Sequence, residues 1–436
     1  MGWIAQKEQR TAMKQVDVAI IGGGISGTAL LYHLARHSDY NRVVLMEKYP
    51  QIAAVNSHAR NNSQTLHCGD IETNYTLEKA LKVQQTARMV VDYAESLSEA
   101  ERNQILFKFP KMLLGVGDAE CELLHQHYER FHPHYPDMEL LDTDAIATRE
   151  PSVTAGRRGQ VMAISIANEY TAVNSHKLAR SFEQQVRVLR PDYEIQLGCS
   201  VRAIHQGEHG FRIDSDNGSL LARVVVVSAG GHSLLFAKRM GYGKHYACLP
   251  VAGSFYHTPK LLNGKVYTIQ SEKLPFAAVH GDPDLLEPEM TRFGPTALVL
   301  PLLERHNWRT LADLLRVTQP DLPVLKVLFT LLGEAEIRRY MMRNILFELP
   351  GIGKRLFLDD ARKIIPLLQV EQLTFAKRVG GIRPVMIDKQ ALKLHLGEAQ
   401  INPGTGIIFN MTPSPGATSC LGNAAKDFAT IQELMA

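Results

Sequence analysis

Gly22, Gly24 and Gly27 stand at G-x-G-x-x-G spacing inside GGGISG near the amino end of the chain. In that pattern the first glycine permits a sharp turn, the second lets backbone approach a pyrophosphate, and the third lets a helix pack closely on a strand. The helix amino terminus then faces the phosphate charge. Glu47, 20 residues beyond Gly27, stands where a carboxylate accepts hydrogen bonds from an adenosine ribose. Together these residues predict a bound dinucleotide, and the fingerprint suits FAD and a nicotinamide dinucleotide equally. The pairs Gly115 and Gly117, Gly241 and Gly243, and Gly351 and Gly353 lack a third glycine, so one dinucleotide site is predicted.

The elements that must position this turn are legible around it. VDVAII at 16–21 reads as a buried strand, TALLYHLARH as the helix after the turn, and RVVLMEK as a second strand ending at Glu47. VVVVSAGG at 224–231 reads as another buried strand whose small terminal residues suit close approach to a cofactor. PSPGATSCLGNAAKDFATIQEL, from Pro413 to Leu434, reads as a loop opening a helix. Its N–H groups suit a negatively charged ligand group, and an ordinary capped surface helix suits the sequence as well. Between 302 and 375 the chain turns to helical runs separated by prolines and glycines, predicting a small helical subdomain.

The 436 residues allow two or three domains. With 48 Lys and Arg against 45 Asp and Glu, the charge is too even for the broad basic face of a nucleic-acid binder. The five cysteines are scattered and never spaced C-x-x-C, which argues against a disulfide framework or a zinc site and fits a reducing cytoplasm. Neither a signal peptide in the first sixteen residues nor an 18-residue apolar run is present, so the chain is expected to be neither secreted nor integral to a membrane. Residues 338–363 carry seven basic against three acidic residues, interleaved with Met341, Met342, Ile345, Leu346, Phe347, Leu356 and Phe357. Such a stretch reads equally as packed core or as an amphipathic surface lying on an anionic bilayer.

The opening motif, NSHARNNSQTLHCGDIETNYT at 56–76 and VYTIQSEKLPFAAVHGDPD…TRFGPTA across 266–297 together resemble one family. It is the FAD-dependent malate:quinone oxidoreductases, especially their shorter epsilonproteobacterial-type branch. The related L-2-hydroxyglutarate oxidases share the outline, and both belong to the broader D-amino-acid-oxidase-like flavoproteins. GIRP at 381–384 and SPGATS at 414–419 resemble elements of that broader group, so the resemblance spans nearly the whole chain.

The resemblance implies an α/β fold: a Rossmann-like FAD-binding domain with an inserted α+β substrate domain and a helical subdomain. The expected FAD-binding parts are 1–80, 165–235 and 375–436; the substrate domain is 81–164 and 236–374, with the helical subdomain at 302–374. FAD contacts are expected at Gly22, Gly24, Ser26, Gly27, Glu47, Lys48, Asn61, Asn62, Ser63, Thr65, Val201, Ala229, Gly230, Gly416, Ala417 and Thr418.

The implied reaction oxidises L-malate, a small 2-hydroxy dicarboxylate, to oxaloacetate and passes electrons to a quinone. It would be housed in the cytoplasm or on the cytoplasmic face of the inner membrane. An imidazole is suited to take the hydroxyl proton. His280 is expected as general base and His67 as polariser of substrate or flavin, with the reverse order open. Arg383, flanked by the Gly380 and Gly381 pair and by Pro384 in an expected turn, would grip a carboxylate, with Thr65 beside the substrate. L-2-hydroxyglutarate, one methylene longer, remains open, since a methylene is worth only ~1 to 3 kcal/mol of discrimination. An oxygen-using amine oxidase and a non-catalytic flavin scaffold are the more distant alternatives.

Overall fold

The computed structural model describes residues 13–270, 278–395, 398–412 and 415–435. The expectations for the first twelve residues, for 271–277 of the long motif and for Pro413 and Ser414 lie outside these residues.

The strand Lys14–Ile21 forms the middle of the first sheet because both of its faces are apolar. Val18 and Ile20 join one core layer, and Ala19 and Ile21 join the other. The same alternation holds for Val43–Met46 and for the end of Gly218–Val227, as expected of strands buried on both faces. The order is Ala399–Ile401, Ile407–Met411, Gly218–Val227, Lys14–Ile21, Val43–Met46 and Glu194–Gln196. Along this order all pairings are parallel except the edge strand Ala399–Ile401, and Gly218–Val227 also pairs antiparallel with Gly210–Ser215. Helices Ile25–His37, Ser175–Leu189 and Gly416–Met435 cover one face. The hairpin Val201–Gly207 with Gly210–Ser215, and helix Gly231–Arg239, supply the residues packed on the other.

The glycine turn behaves as the spacing predicts. Gly22 has φ +111°, and a Cβ there would lie 2.5 Å from the Ser228 carbonyl oxygen. A Cβ on Gly27 would lie 2.0 Å from the Gly22 carbonyl oxygen, so only glycine lets the helix sit this close to the strand.

The second sheet has eight strands in the order Thr374–Phe375, Tyr256–Pro259, Met290–Gly294, His280–Pro283, Lys265–Thr268, Lys111–Val116, Val161–Ile166 and Glu139–Leu141. A third sheet pairs Leu298–Val299, Tyr246–Ala252, Ile382–Asp388 and Lys393–His395. Helices Leu311–Thr318, Leu322–Gly333, Ala335–Phe347 and Ile352–Arg362 form the helical part. No helix among the described residues is long and apolar enough to cross a membrane. All five cysteines are buried and unpaired.

Four local expectations change. GIRP is not a turn: Ile382, Arg383 and Pro384 begin a strand paired with Tyr246–Ala252, because Val385 and Ile387 continue its alternation into a packed core. The long helical run after residue 321 breaks at Gly333 and Glu334 into two helices. Phe347 and Phe357 pack together in the core, leaving Met342 and Ile345 as the outward apolar residues of their run. The expected boundaries at 80 and 375 do not follow the packing. Helix Leu77–Glu95 crosses the first and lies on Gly416–Met435, while the third sheet joins 246–252 to 382–388 across the second.

Gly27→Ala is expected to destabilise the protein by about 1 to 3 kcal/mol through overpacking at a contact with no free volume. Denaturant unfolding and the amount of dinucleotide retained on purification would read it; an unchanged midpoint with full retention would contradict the close-packing argument.

Candidate functional site

The glycine turn, the end of the second strand and the start of the carboxyl-terminal helix open onto one cleft of about 570 Å³. Gly22, Gly24, Ser26, Glu47, Lys48, Val201, Ala229, Gly230 and Gly416, named from the sequence as FAD contacts, line it. Glu47 is buried at the strand end, where its Oε2 accepts the Gly23 N–H at 2.6 Å and its Oε1 the Tyr49 N–H at 2.9 Å. Burial raises its carboxyl above the ordinary range, and the two backbone donors and Lys48 oppose that rise.

The cleft suits the dinucleotide on its own geometry. Glycines bring bare backbone to the wall, Glu47 retains lone pairs for ribose hydroxyls, and Ser228, also in the wall, holds a buried hydroxyl with no hydrogen-bond partner among the described residues. Glu304 closes the cleft from the helical side. It accepts from the Tyr49 hydroxyl at 2.6 Å and from Asn307 at 2.9 Å, and pairs with Lys48. Burial alone would raise its carboxyl; Lys48 and Tyr49 prevail and hold it below the ordinary range.

The remaining cofactor candidates serve the protein rather than the cleft wall. Gly27 packs under the turn. The Asn62 amide donates to the Asn56 and His58 carbonyls and to Ser175 Oγ, and its oxygen accepts the Gln64 N–H, so this side chain closes its own loop. Asn61 donates to the Val55 carbonyl, the Ser63 carbonyl accepts from Thr65, and Ala417 packs against the helical core. Thr418 is fully buried, and its Oγ1 accepts the His67 N–H at 3.0 Å. Sequence reasoning missed Asn56, Ser57, Tyr49, His232, Glu304 and Asn410 in the wall. Ser57 lies within the quoted NSH motif and accepts the Ile25 N–H at the helix start. Glu304 and Asn410 sit in no recognisable pattern.

His67 and His280, the two histidines expected to handle the proton, are not among the residues that line this cleft. His67 Nδ1 and Glu72 Oε1 are 2.6 Å apart, and its Nε2 makes no hydrogen bond or ion pair with the described residues. Burial would raise the Glu72 carboxyl, but the His67 hydrogen bond and charge, with Lys111, hold it below its ordinary range. The pair therefore has the geometry of a carboxylate orienting an imidazole. His280 differs: Nδ1 lies 3.4 Å from the Ala278 carbonyl oxygen, and Nε2 is buried 3.2 Å from Asp282 Oδ2 without a hydrogen-bond partner among the described residues. Thr65 links the two segments, since its Oγ1 lies 3.2 Å from the Tyr267 hydroxyl and the Tyr267 ring packs against His280 with a 31° tilt.

Arg383 enters from the third sheet. Its neighbour Ile382 donates its N–H to Asn56 Oδ1 at 3.0 Å, which ties the strand start to the 56–76 segment. Ile382 and Pro384 line the cleft, and alternation sends Arg383 to the opposite face, near Tyr340. Burial pulls its guanidinium below the ordinary arginine range, with Tyr340 opposing. It forms no ion pair with a carboxylate among the described residues. No contact joins it directly to His67 or His280 among those residues.

Residues 17–429 match the family of FAD dependent oxidoreductases. A probable malate:quinone oxidoreductase of Campylobacter jejuni is 45% identical over 427 residues, covering 95% of each chain. The malate:quinone oxidoreductase of Helicobacter pylori strain 26695 is 44% identical over 421 residues, covering 95% of this chain and 93% of that one. Among solved structures, the FAD-bound L-alpha-glycerophosphate oxidase of Mycoplasma pneumoniae superposes with a TM-score of 0.66 at 17% identity, covering 96% of this chain and 95% of that one, a likeness of fold alone. FAD is the dinucleotide that the cleft takes. The glycine turn with Glu47, the cleft and the extent of these matches lead to one assignment: the chain belongs to the FAD dependent oxidoreductases and, within them, to the malate:quinone oxidoreductases.

Proposed function

We propose that this protein oxidises L-malate to oxaloacetate and delivers the two electrons to a quinone. The observation that carries this reading is the His67 and Glu72 pair, set on the segment that also supplies Asn56 and Ser57 to the FAD cleft. Oxidation at C2 removes the hydroxyl proton and a hydride. Bound FAD supplies the acceptor for the hydride. Glu72 holds the proton of the imidazole on Nδ1, which leaves Nε2 of His67 as the base for the hydroxyl proton. This reverses the order favoured from sequence, because no carboxylate hydrogen-bonds the His280 ring to orient it: its Nε2 lies 3.2 Å from Asp282 Oδ2 without forming a hydrogen bond among the described residues.

Arg383, expected from sequence to grip a malate carboxylate, points to the face of its strand away from the FAD cleft, beside Tyr340, and takes no part in this reading. Replacing His67 by Asn, or Glu72 by Gln, is expected to lower kcat by about 10²- to 10⁴-fold while FAD stays bound. Anaerobic bleaching of the bound flavin by malate, compared with 2-hydroxyglutarate, reads the chemical step. Wild-type bleaching rates in both variants would remove the pair from the mechanism.

The quinone side belongs to the helical part. Helix Leu322–Gly333 buries only Val324 and Val327, and leaves Leu322 81% and Phe329 71% exposed, with Leu325 and Leu332 beside them. Met342, Ile345, Leu349 and Ile352 continue the apolar surface, and Lys326, Arg338, Arg339 and Arg355 are exposed around it. That mixture fits an anionic bilayer surface reached from the cytoplasmic side, where a lipid-soluble acceptor resides. Replacing Leu322 and Phe329 by Ser should abolish sedimentation with vesicles of anionic phospholipid and leave turnover with a water-soluble quinone analogue unchanged. Equal vesicle binding by the variant would move the contact elsewhere.

A further inference from the structure

The eight-stranded sheet carries a row of buried charges on the face that meets the 56–76 segment. By strand register Lys111 neighbours Lys265, Asp282 neighbours Arg292, and Arg292 neighbours His257. Lys265 Nζ lies 3.2 Å from Asp282, completing the row. Arg292 is fully buried, and none of its three guanidinium nitrogens makes a hydrogen bond among the described residues. Its Cζ stacks 4.3 Å over the Phe255 ring, and its Nε lies 3.9 Å from Asp284 Oδ2. Arg292 thus neighbours two buried carboxylates two residues apart, Asp282 by strand register and Asp284 by side-chain approach.

Each of those carboxylates holds a different part of the site. Asp282 faces His280 Nε2 at 3.2 Å. Asp284 accepts from Gln64 Nε2 at 3.1 Å, and Gln64 Oε1 accepts the Leu285 N–H at 3.0 Å. Gln64 is itself buried with φ +53°, and Thr65 and His67 follow it directly. Two desolvated carboxylates this close repel, and one takes up a proton unless a cation lies between them. A protonated Asp284 or Asp282 would loosen its hold on Gln64 or His280.

We infer that Arg292 is a positioning residue for the oxidation: its buried charge lets Asp282 and Asp284 stay ionised together, which fixes His280 and the Gln64 to His67 stretch in one geometry. The inference rests on the reading that these two segments flank the substrate. In keeping with it, both carboxyls are held well below the ordinary range against the opposing effect of burial. Lys265, His280 and Arg292 do this for Asp282; His257, Arg292 and Gln64 do it for Asp284. The charged and titratable groups around the guanidinium are therefore Asp282, Asp284, Lys265, His257 and His280.

The test compares FAD-loaded wild type with Arg292→Met and Arg292→Lys over a range of pH. Arg292→Met is expected to lower kcat roughly 10²-fold, the scale of a small misplacement of reacting groups, with the flavin still bound. Without the cation the carboxylates protonate at higher pH, so the acid limb of kcat should move up by about one unit or more. Arg292→Lys restores the charge but not the planar fork, so its acid limb should match wild type while kcat stays about tenfold low. Wild-type kcat and acid limb in loaded Arg292→Met would overturn the inference, whatever the variant's thermal stability. If Arg292→Met does not fold, wild-type kcat in Arg292→Lys would assign the residue to folding alone and overturn it equally. Failure of malate to bleach the wild-type flavin would instead strike the proposed function, and the variants would then be compared on whichever hydroxy acid does.

Discussion

The segment from Asn56 to Glu72 is the piece on which the site depends, because it touches every other part of it. Ser57 Oγ accepts from the first helix, Asn56 from the strand that carries Arg383, and Gln64 clasps Asp284 on the large sheet. His67 hangs from Thr418 on the last helix, and Asp70 pairs with buried Lys111. A polar, irregular stretch cannot be buried unless its backbone and side chains find partners. Asn61 and Asn62, expected from sequence at the cofactor, are therefore occupied in holding the loop, as is Gln64, and the loop in turn carries His67.

The same constraint explains why so many charges lie on the sheet beneath this segment. Lys111, Lys265, Asp282 and Arg292 are almost wholly buried, which is tolerable because Asp70 pairs with Lys111 and Asp282 lies between Lys265 and Arg292 in the register. An apolar sheet face would be simpler to stabilise. A charged one fixes orientation, since each member has a single low-energy arrangement relative to its neighbours and Phe255 leaves Arg292 little room to rotate. Asp70 is the weakest member: burial raises its carboxyl to about 7 despite Lys111. The row is thus most evenly compensated where Asp282 and Asp284 face the site.

Much of the dinucleotide half was legible because its logic is local. Three glycines, an acidic residue 20 positions on and strands with two apolar faces specify a turn and a sheet without reference to the rest of the chain. GIRP shows the limit. Glycine and proline suggested a turn, yet pairing with Tyr246–Ala252, more than a hundred residues earlier, makes it a strand, and no local signal announces that partner. The choice between His67 and His280 was beyond the sequence for a related reason. Both follow an apolar residue, and what separates them is Glu72 on one and Asp282 with the Ala278 carbonyl on the other. Glu304 illustrates the same point, reaching Lys48 and Tyr49 over some 250 positions.

The helical part does two things that a single surface patch would not. Its first segment closes the FAD cleft through Leu303, Glu304, Asp313 and Arg316, while the next helix turns Leu322 and Phe329 outward. Only Gln319, in the left-handed conformation, and two more residues separate those helices. An apolar helix on the outside of a chain otherwise well packed is costly in water and stable against lipid. A protein that takes electrons from a soluble acid and gives them to a lipid-soluble acceptor needs its cofactor near both phases. The cleft wall and the apolar helix stand on adjacent segments, which makes the short connection at 319–321 the part of the fold that relates the two.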